Sequence, residues 1–319
     1  MKTTLIVLTL IILAAAVFPQ DAPSQPGKTD RIDADPSKGF SYPYFLYIPP
    51  ALREESAQKG TQTLLVVPNN TGKPIDGLEE HEKNVSSKMV QIAFVFGRLN
   101  VPVLVPVFPR PAKEWKIYTH ALDRDTITTD LEEYKRLDLQ LAAMIRDARS
   151  RLENEKLNVG KKVLMYGFSA SAMFANRFAF LHPDLVKAAA VGSPGGWPIA
   201  PVKKYKEKEL RYPLGIGDVK ALTGKGVDLE KLTKVSFLFF LGGDDDNDSL
   251  VFRDGYEQED EDLALPLLGR KPVDRWPVSK ELYEQAKMNA EFKLYPGEVH
   301  RPSRQMVEDV LAFLERNKY

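Results

Sequence analysis

Cysteine is absent from the 319 residues, which excludes disulfides, a thiolate nucleophile, thiolate-bound metal and a lipidated-cysteine anchor. Apolar burial alone must then hold the fold. Excess charge of either sign is also missing, because Lys plus Arg and Asp plus Glu each number 44. No net field therefore draws the chain to nucleic acid, an anionic membrane or an acidic substrate. The apolar run Leu5 to Val17 falls short of the ~20 residues that span a bilayer comfortably, and no internal repeat is visible. What is present, 43% hydrophobic and 28% charged residues, suits one large α/β domain with a sizeable core.

Lys2 followed by that apolar run and by an Ala-x-Ala ending at Ala16 reads as a secretory signal over residues 1–20, with cleavage near 16–20. The expected location is secreted or periplasmic. An uncleaved N-terminal anchor is the alternative, and it too leaves the domain facing outward. Residues 21–38, rich in Pro, Asp, Ser and Gly, cannot repay their ordering entropy and read as a disordered tether. The catalytic domain is expected over 39–319.

Phe40 to Ile48 alternates aromatic and apolar residues before two prolines, as an edge strand of an antiparallel pair would. Further strands are expected at Thr63–Val67, Val103–Val107, Lys162–Tyr166, Ala188–Val191, Val235–Leu241 and Glu291–Tyr295. Helical spacing occurs over Leu131–Leu152, Ala170–Leu181, Lys280–Met288 and Arg304–Arg316. This alternation predicts a mostly parallel central sheet with helices on both faces. Two stretches interrupt it, 197–231 and 249–276, and read as lid-like insertions.

The strand at Lys162–Tyr166 enters Gly167-Phe168-Ser169-Ala170-Ser171 and passes at once into a helical pattern. A strand, a tight turn and a helix in that order lift the middle hydroxyl above the sheet, and they require small residues two positions to either side. Ser169 is the expected nucleophile. Two alternatives stand beside it: a serine in an ordinary strand-to-helix turn, and Ser171 as the reactive group.

A serine hydroxyl needs a base active near neutral pH, and imidazole is the side chain suited to that. Of the four histidines, His300 follows the last strand and shares the sheet edge of the elbow. His182 reads as a helix cap and His81 as a surface residue in a charged run. His120 lies in the polar cluster Tyr118–Asp125 and either lines a substrate pocket or belongs to an internal hydrogen-bond network. The acid is expected after the strand at Val235–Leu241, in Gly242-Gly243-Asp244-Asp245-Asp246-Asn247-Asp248. Spacing from Gly242 selects Asp245, then Asp246, then Asp248. Asp244, Asp246 and Asp248 alternate as in a calcium loop, but Ser249 takes the place of the turn glycine and no closing Glu follows. Oxyanion donors are expected from the backbone amides of Ala170 and Asn70, in the turn Pro68-Asn69-Asn70-Thr71-Gly72, with Asn69 as the alternative.

With nucleophile, acid and base in the order Ser, Asp, His, the chain from about Phe45 to Tyr319 resembles the α/β-hydrolase family. The turn Pro68 to Gly72 is similar to the oxyanion turn of secreted esterases, cutinase-like enzymes and polyester depolymerases. Asn69 stands where those proteins carry glycine, and Ser171 where the elbow usually has glycine. The resemblance implies an α/β-hydrolase fold, no metal and no cofactor.

The leading expectation is an exported serine hydrolase that cleaves small-molecule or polymeric carboxylic esters through an acyl-enzyme. Trp115, Tyr118, His120 and Trp197 are the expected substrate-pocket residues, with Trp276 as a further aromatic. A serine peptidase of the oligopeptidase type is the second reading, and a non-catalytic binding protein on a hydrolase scaffold is the third. No nucleic acid and no membrane contact beyond an N-terminal anchor are expected. Sequence leaves the oligomeric state open.

Overall fold

The computed structural model describes residues 27–53, 60–70 and 73–319. The expected signal segment, the first part of the expected tether (21–26) and Thr71–Gly72 of the expected oxyanion turn lie outside the described residues. Strands β1 (Lys28–Ile32), β2 (Tyr44–Ile48) and β3 (Leu65–Val66) precede helix α1 (Leu78–Phe96) and strand β4 (Val103–Pro106). Next come α2 (Asp125–Thr128), α3 (Leu137–Asn154), β5 (Val163–Phe168), α4 (Ala170–Leu181) and β6 (Val186–Gly192). A small hairpin of β7 (Lys204–Tyr205) and β8 (Lys208–Glu209), then α5 (Val219–Thr223) and α6 (Leu229–Leu232), lead into β9 (Ser236–Gly242). The remainder is α7 (Ser249–Phe252), α8 (Gln258–Leu268), α9 (Pro272–Gln285), β10 (Ala290–Tyr295) and α10 (Arg304–Asn317).

The main sheet runs β1-β2-β4-β3-β5-β6-β9-β10. β2 is antiparallel to both β1 and β4, and every pairing from β4 to β10 is parallel. Side chains alternate between the two faces, as the pleat requires. Val163, Met165, Phe237 and Phe239 point to the face covered by α3, α4 and α9. Leu164, Leu238 and Phe240 point to the opposite face, covered by α1 and α10. Both faces are buried, so the strands read as continuous apolar runs.

A third apolar cluster joins the two insertions to each other and to the start of α4 through Trp197, Leu214, Leu250, Tyr256 and Met173. The second insertion ends earlier than expected. Its boundary at 276 falls inside α9, and Trp276 packs edge-on against Phe292 in the core beneath the sheet.

The expected tether over 21–38 is corrected at its C-terminal part, where β1 and a short 3-10 turn at Pro36–Lys38 are ordered. β1 is the sheet edge, so β2 is an interior strand and not the edge expected of Phe40–Ile48. An edge strand tolerates charge along its open side. Here Lys28 bonds Glu155 at 2.7 Å and Arg31 pairs with Glu82, which hides the strand in a polar composition. α1 was also hidden, because Glu79 to Lys83 reads as a solvated run. Its inward face is His81, Val85, Met89 and Phe96, so His81 is fully buried and not a surface residue.

Candidate active site

Parallel strands place the loops after β3, β4, β5, β9 and β10 at one edge of the sheet, and the expected chemistry falls in those loops. β5 ends at Phe168 and α4 begins at Ala170, so Ser169 alone makes the turn, with φ 61° and ψ −129°. A side-chain-bearing residue held there costs about 1–3 kcal/mol, and such conformations persist where the surroundings dictate them. Those surroundings are visible. A Cβ at Gly167 would lie 2.2 Å from the carbonyl oxygen of Ser171, so only glycine lets the helix fold back so closely. The Ser171 hydroxyl accepts from Phe168 N at 3.0 Å and donates to Phe168 O at 2.9 Å, clamping the turn from the helix side. Ser171 thus braces the elbow, and its hydroxyl is already engaged by backbone. Gly167→Ala should push strand and helix apart, lowering stability by about 1–3 kcal/mol, as overpacking does. Ester turnover should fall with it. Urea unfolding beside an activity assay checks this, and a variant as stable and active as the parent would contradict it.

Gly242 and Gly243 bring the Asp245 loop to the His300 loop. A Cβ on Gly242 would sit 2.3 Å from the carbonyl oxygen of Glu298, and Asp244 N donates to that same oxygen at 2.9 Å. Gly243 N donates to Tyr295 O at 2.7 Å. The loops after β9 and β10 are thereby pinned together, and His300 Nδ1 donates to the Asp245 carboxylate at 2.9 Å and 3.0 Å. Asp245 is 4% exposed, whereas Asp244 and Asp246 face solvent and Asp248 is engaged elsewhere. Burial by itself pushes the Asp245 carboxyl up. The His300 hydrogen bond and the Asn247 amide at 3.0 Å more than offset this and hold it below the usual aspartate value. The His300 ring stands 5.0 Å from the Phe168 ring, next to the elbow serine.

At the oxyanion turn, the buried Asn69 side chain is bound to the following loop. Its Oδ1 accepts from Phe108 N at 3.1 Å and its Nδ2 donates to Phe108 O at 2.9 Å. Asn69 therefore shapes the turn, and the half-exposed Asn70 is left at its rim. Lys88 Nζ, from α1, donates to Asn70 O at 2.6 Å. Ala170 is the first residue of α4, where amides lack an intrahelical acceptor.

The expected pocket residues scatter. His120 is fully buried, and its Nε2 donates to Phe108 O at 2.8 Å. Burial pushes its pKa down to about 3, so it is neutral and belongs to the internal network, not to a pocket. Trp197 is 1% exposed and donates from Nε1 to Leu214 O at 2.8 Å, which makes it a core residue of the insertions. Tyr118 is buried beneath the Arg110 guanidinium, 3.7 Å from its ring centre. Trp115 is exposed and lines a polar cavity with Asp254 and Glu257. His182 sits at the C-cap of α4, as expected of a capping residue, and its Nε2 lies 2.8 Å from Asp138. Among the described residues no group of three or more His, Asp or Glu side chains is arranged to hold a metal ion.

No protein-family model and no curated protein sequence matches the chain. Solved structures do. Poly(aspartic acid) hydrolase-1 from Sphingomonas sp. KT-1 is similar at TM-score 0.58 and 15% identity, over 91% of this chain and 98% of that one. The poly(3-hydroxybutyrate) depolymerase of Bordetella parapertussis is similar at TM-score 0.58 and 14% identity, over 92% and 90% of the two chains. Carboxyl esterase 2 from Tuber melanosporum gives TM-score 0.51 and 10% identity, over 94% and 90%. The chain has the α/β-hydrolase fold. Within that fold, sequence reasoning located the elbow, the Asp245 loop and the His300 loop. It missed Lys88 and the clamping role of Ser171. The Ser171 signal was in the sequence, since a hydroxyl two residues after the elbow serine is well placed to bond the turn backbone. Lys88 was out of reach because α1 itself went unread.

Proposed function

We propose that the protein is an exported serine hydrolase that cleaves carboxylic esters through an acyl-enzyme. The observation that carries this reading is the bond from His300 to the buried Asp245, with the His300 ring packed against Phe168, the residue before a serine held at positive φ between strand and helix. Ser169 Oγ attacks the ester carbonyl carbon while His300 Nε2 takes its proton. Asp245 fixes the Nδ1–H tautomer and stabilises the imidazolium. The carbonyl oxygen becomes an oxyanion received by the Asn70 and Ala170 amides. His300 then returns the proton to the departing alkoxide, releasing the alcohol. Water, deprotonated by His300, attacks the acyl carbon, and collapse of the second intermediate releases the acid and restores the Ser169 hydroxyl. Every proton is moved by His300, and no cofactor enters these steps. Export is supported by Lys2 and the apolar run Leu5 to Val17.

The fold is shared with solved hydrolases of polymers and esters, which supports this class of chemistry without selecting a substrate. A 4-nitrophenyl ester and the matching 4-nitroanilide should be turned over at rates differing by at least about 100-fold in favour of the ester, roughly 2.7 kcal/mol in barrier. Anilide hydrolysis at a comparable rate would support a peptidase instead. Turnover of neither, in folded protein, would support a binding scaffold.

A further inference from the structure

On the sheet face covered by α1 and α10 there is a groove of about 320 Å³ that none of the expected pocket residues lines. Its inner end is built from three loops of the candidate site. Asn69 and Asn70 come from the turn after β3, Phe168 and Ser171 from the elbow, and Pro302 from the loop that carries His300. Phe168 is shared with the site, since its ring also stands 5.0 Å from the His300 ring. The far end lies between Ile92 and Val95 of α1 and the Tyr166 ring, which packs 4.9 Å from Phe96. Burial pushes the Tyr166 phenol up to about 12, as expected where water is largely excluded. The groove is thus apolar along its length and polar where it meets the oxyanion turn, with Lys88 at that rim. The cavity bounded by Trp115 has the opposite character, with Lys116, Asp123, Asp254 and Glu257 in its wall.

An ester held at Ser169 has two arms, acyl and alcohol, and the carbonyl oxygen must face the Asn70 and Ala170 amides. We propose that the groove is the acyl subsite and that it takes an unbranched aliphatic or aryl acyl group of up to about ten non-hydrogen atoms, at roughly 30 Å³ for each water-sized group. This rests on the serine-esterase reading and adds to it the substrate class. Apolar acyl atoms leave water as they enter, and each buried methylene should raise kcat/KM by up to about fourfold until the groove is full. The alcohol arm then points away from α1, toward the insertions.

The test uses 4-nitrophenyl esters from acetyl to dodecanoyl, so that the leaving group stays constant, with the full-length protein and three variants. Val95→Trp fills the far end and should lower the octanoyl-to-acetyl ratio of kcat/KM at least tenfold. Val95→Ala enlarges the groove and should move the optimum to a longer chain, which keeps the test decisive if the tryptophan variant folds poorly. Phe252→Ala, on the insertion side, should leave the ratio unchanged. Both esters hydrolysed with a ratio unaltered by either Val95 variant, or a ratio altered by Phe252→Ala, would overturn the groove assignment and leave the esterase reading intact. No hydrolysis of any ester and no labelling of Ser169 would overturn both.

Discussion

Asparagine in place of Asp245 is expected to lower kcat for a good ester substrate by about 10³–10⁴-fold while leaving the protein folded. The carboxylate receives Nδ1–H of His300 at 2.9 Å and 3.0 Å, which directs the unprotonated Nε2 outward as a base. An amide is nearly isosteric and keeps an oxygen for the Asn247 amide, so the loop should hold. It carries no charge to stabilise the imidazolium, and its NH₂ can satisfy the opposite tautomer. The variant should therefore melt within a few degrees of the parent and bind substrate with a similar KM. A kcat within tenfold of the parent would mean that Asp245 is not the orienting acid. Asp248→Asn offers the contrast, since Asp248 touches Arg275 and not His300.

The second large effect concerns stability. Arg275 is completely buried on α9, with Nη2 2.7 Å from the Asp248 carboxylate. Its Nε donates to Gly196 O at 3.0 Å and its Nη1 to Gly269 O at 3.2 Å. One guanidinium thus ties the start of the first insertion, the start of the second and the C-cap of α8. A Cβ at Gly196 would come within 2.6 Å of Nη2, which is why the chain carries glycine where it wraps this group. Arg275→Met should cost about 3–5 kcal/mol, because it strands the Asp248 charge in a buried place. Adding Asp248→Asn removes that stranded charge, so the double variant should be less destabilised than the sum of the two singles. Urea titrations of the four proteins measure the coupling. A single-variant loss below about 1 kcal/mol, in the range of an exposed pair, would contradict it.

The candidate site was legible because its signals are local. Gly167 to Ser171 lies between a strand and a helix, Gly242 and Gly243 precede the acid, and His300 follows the last strand. Each feature needs only a few neighbouring residues to be recognised. The choice of Asp245 from four aspartates also came from spacing, and of the four it is the one bonded to His300. What escaped depends on residues distant in sequence. β1 reads as polar because its charges pair with Glu82 of α1 and with Glu155, the C-cap of α3, both far along the chain. α1 reads as a charged run because its inward residues are a histidine and three apolar side chains spaced among Glu and Lys. The aromatic residues expected to bind substrate divide between core and surface, since large apolar side chains stabilise a core as readily as they line a pocket. The groove was illegible for a related reason. Val67, Val85, Val95, Tyr166 and Val307 come from four separate elements or loops, and each alone is an ordinary buried or half-buried residue.

The most direct measurement is labelling of the protein with a fluorophosphonate probe, with Ser169→Ala and Ser171→Ala in parallel and mass spectrometry of the modified peptide. An activated Ser169 predicts a stoichiometric adduct on Ser169 in the parent and in Ser171→Ala, and none in Ser169→Ala. An adduct on Ser171, or no adduct in protein shown to be folded, would contradict the assignment of Ser169 as nucleophile.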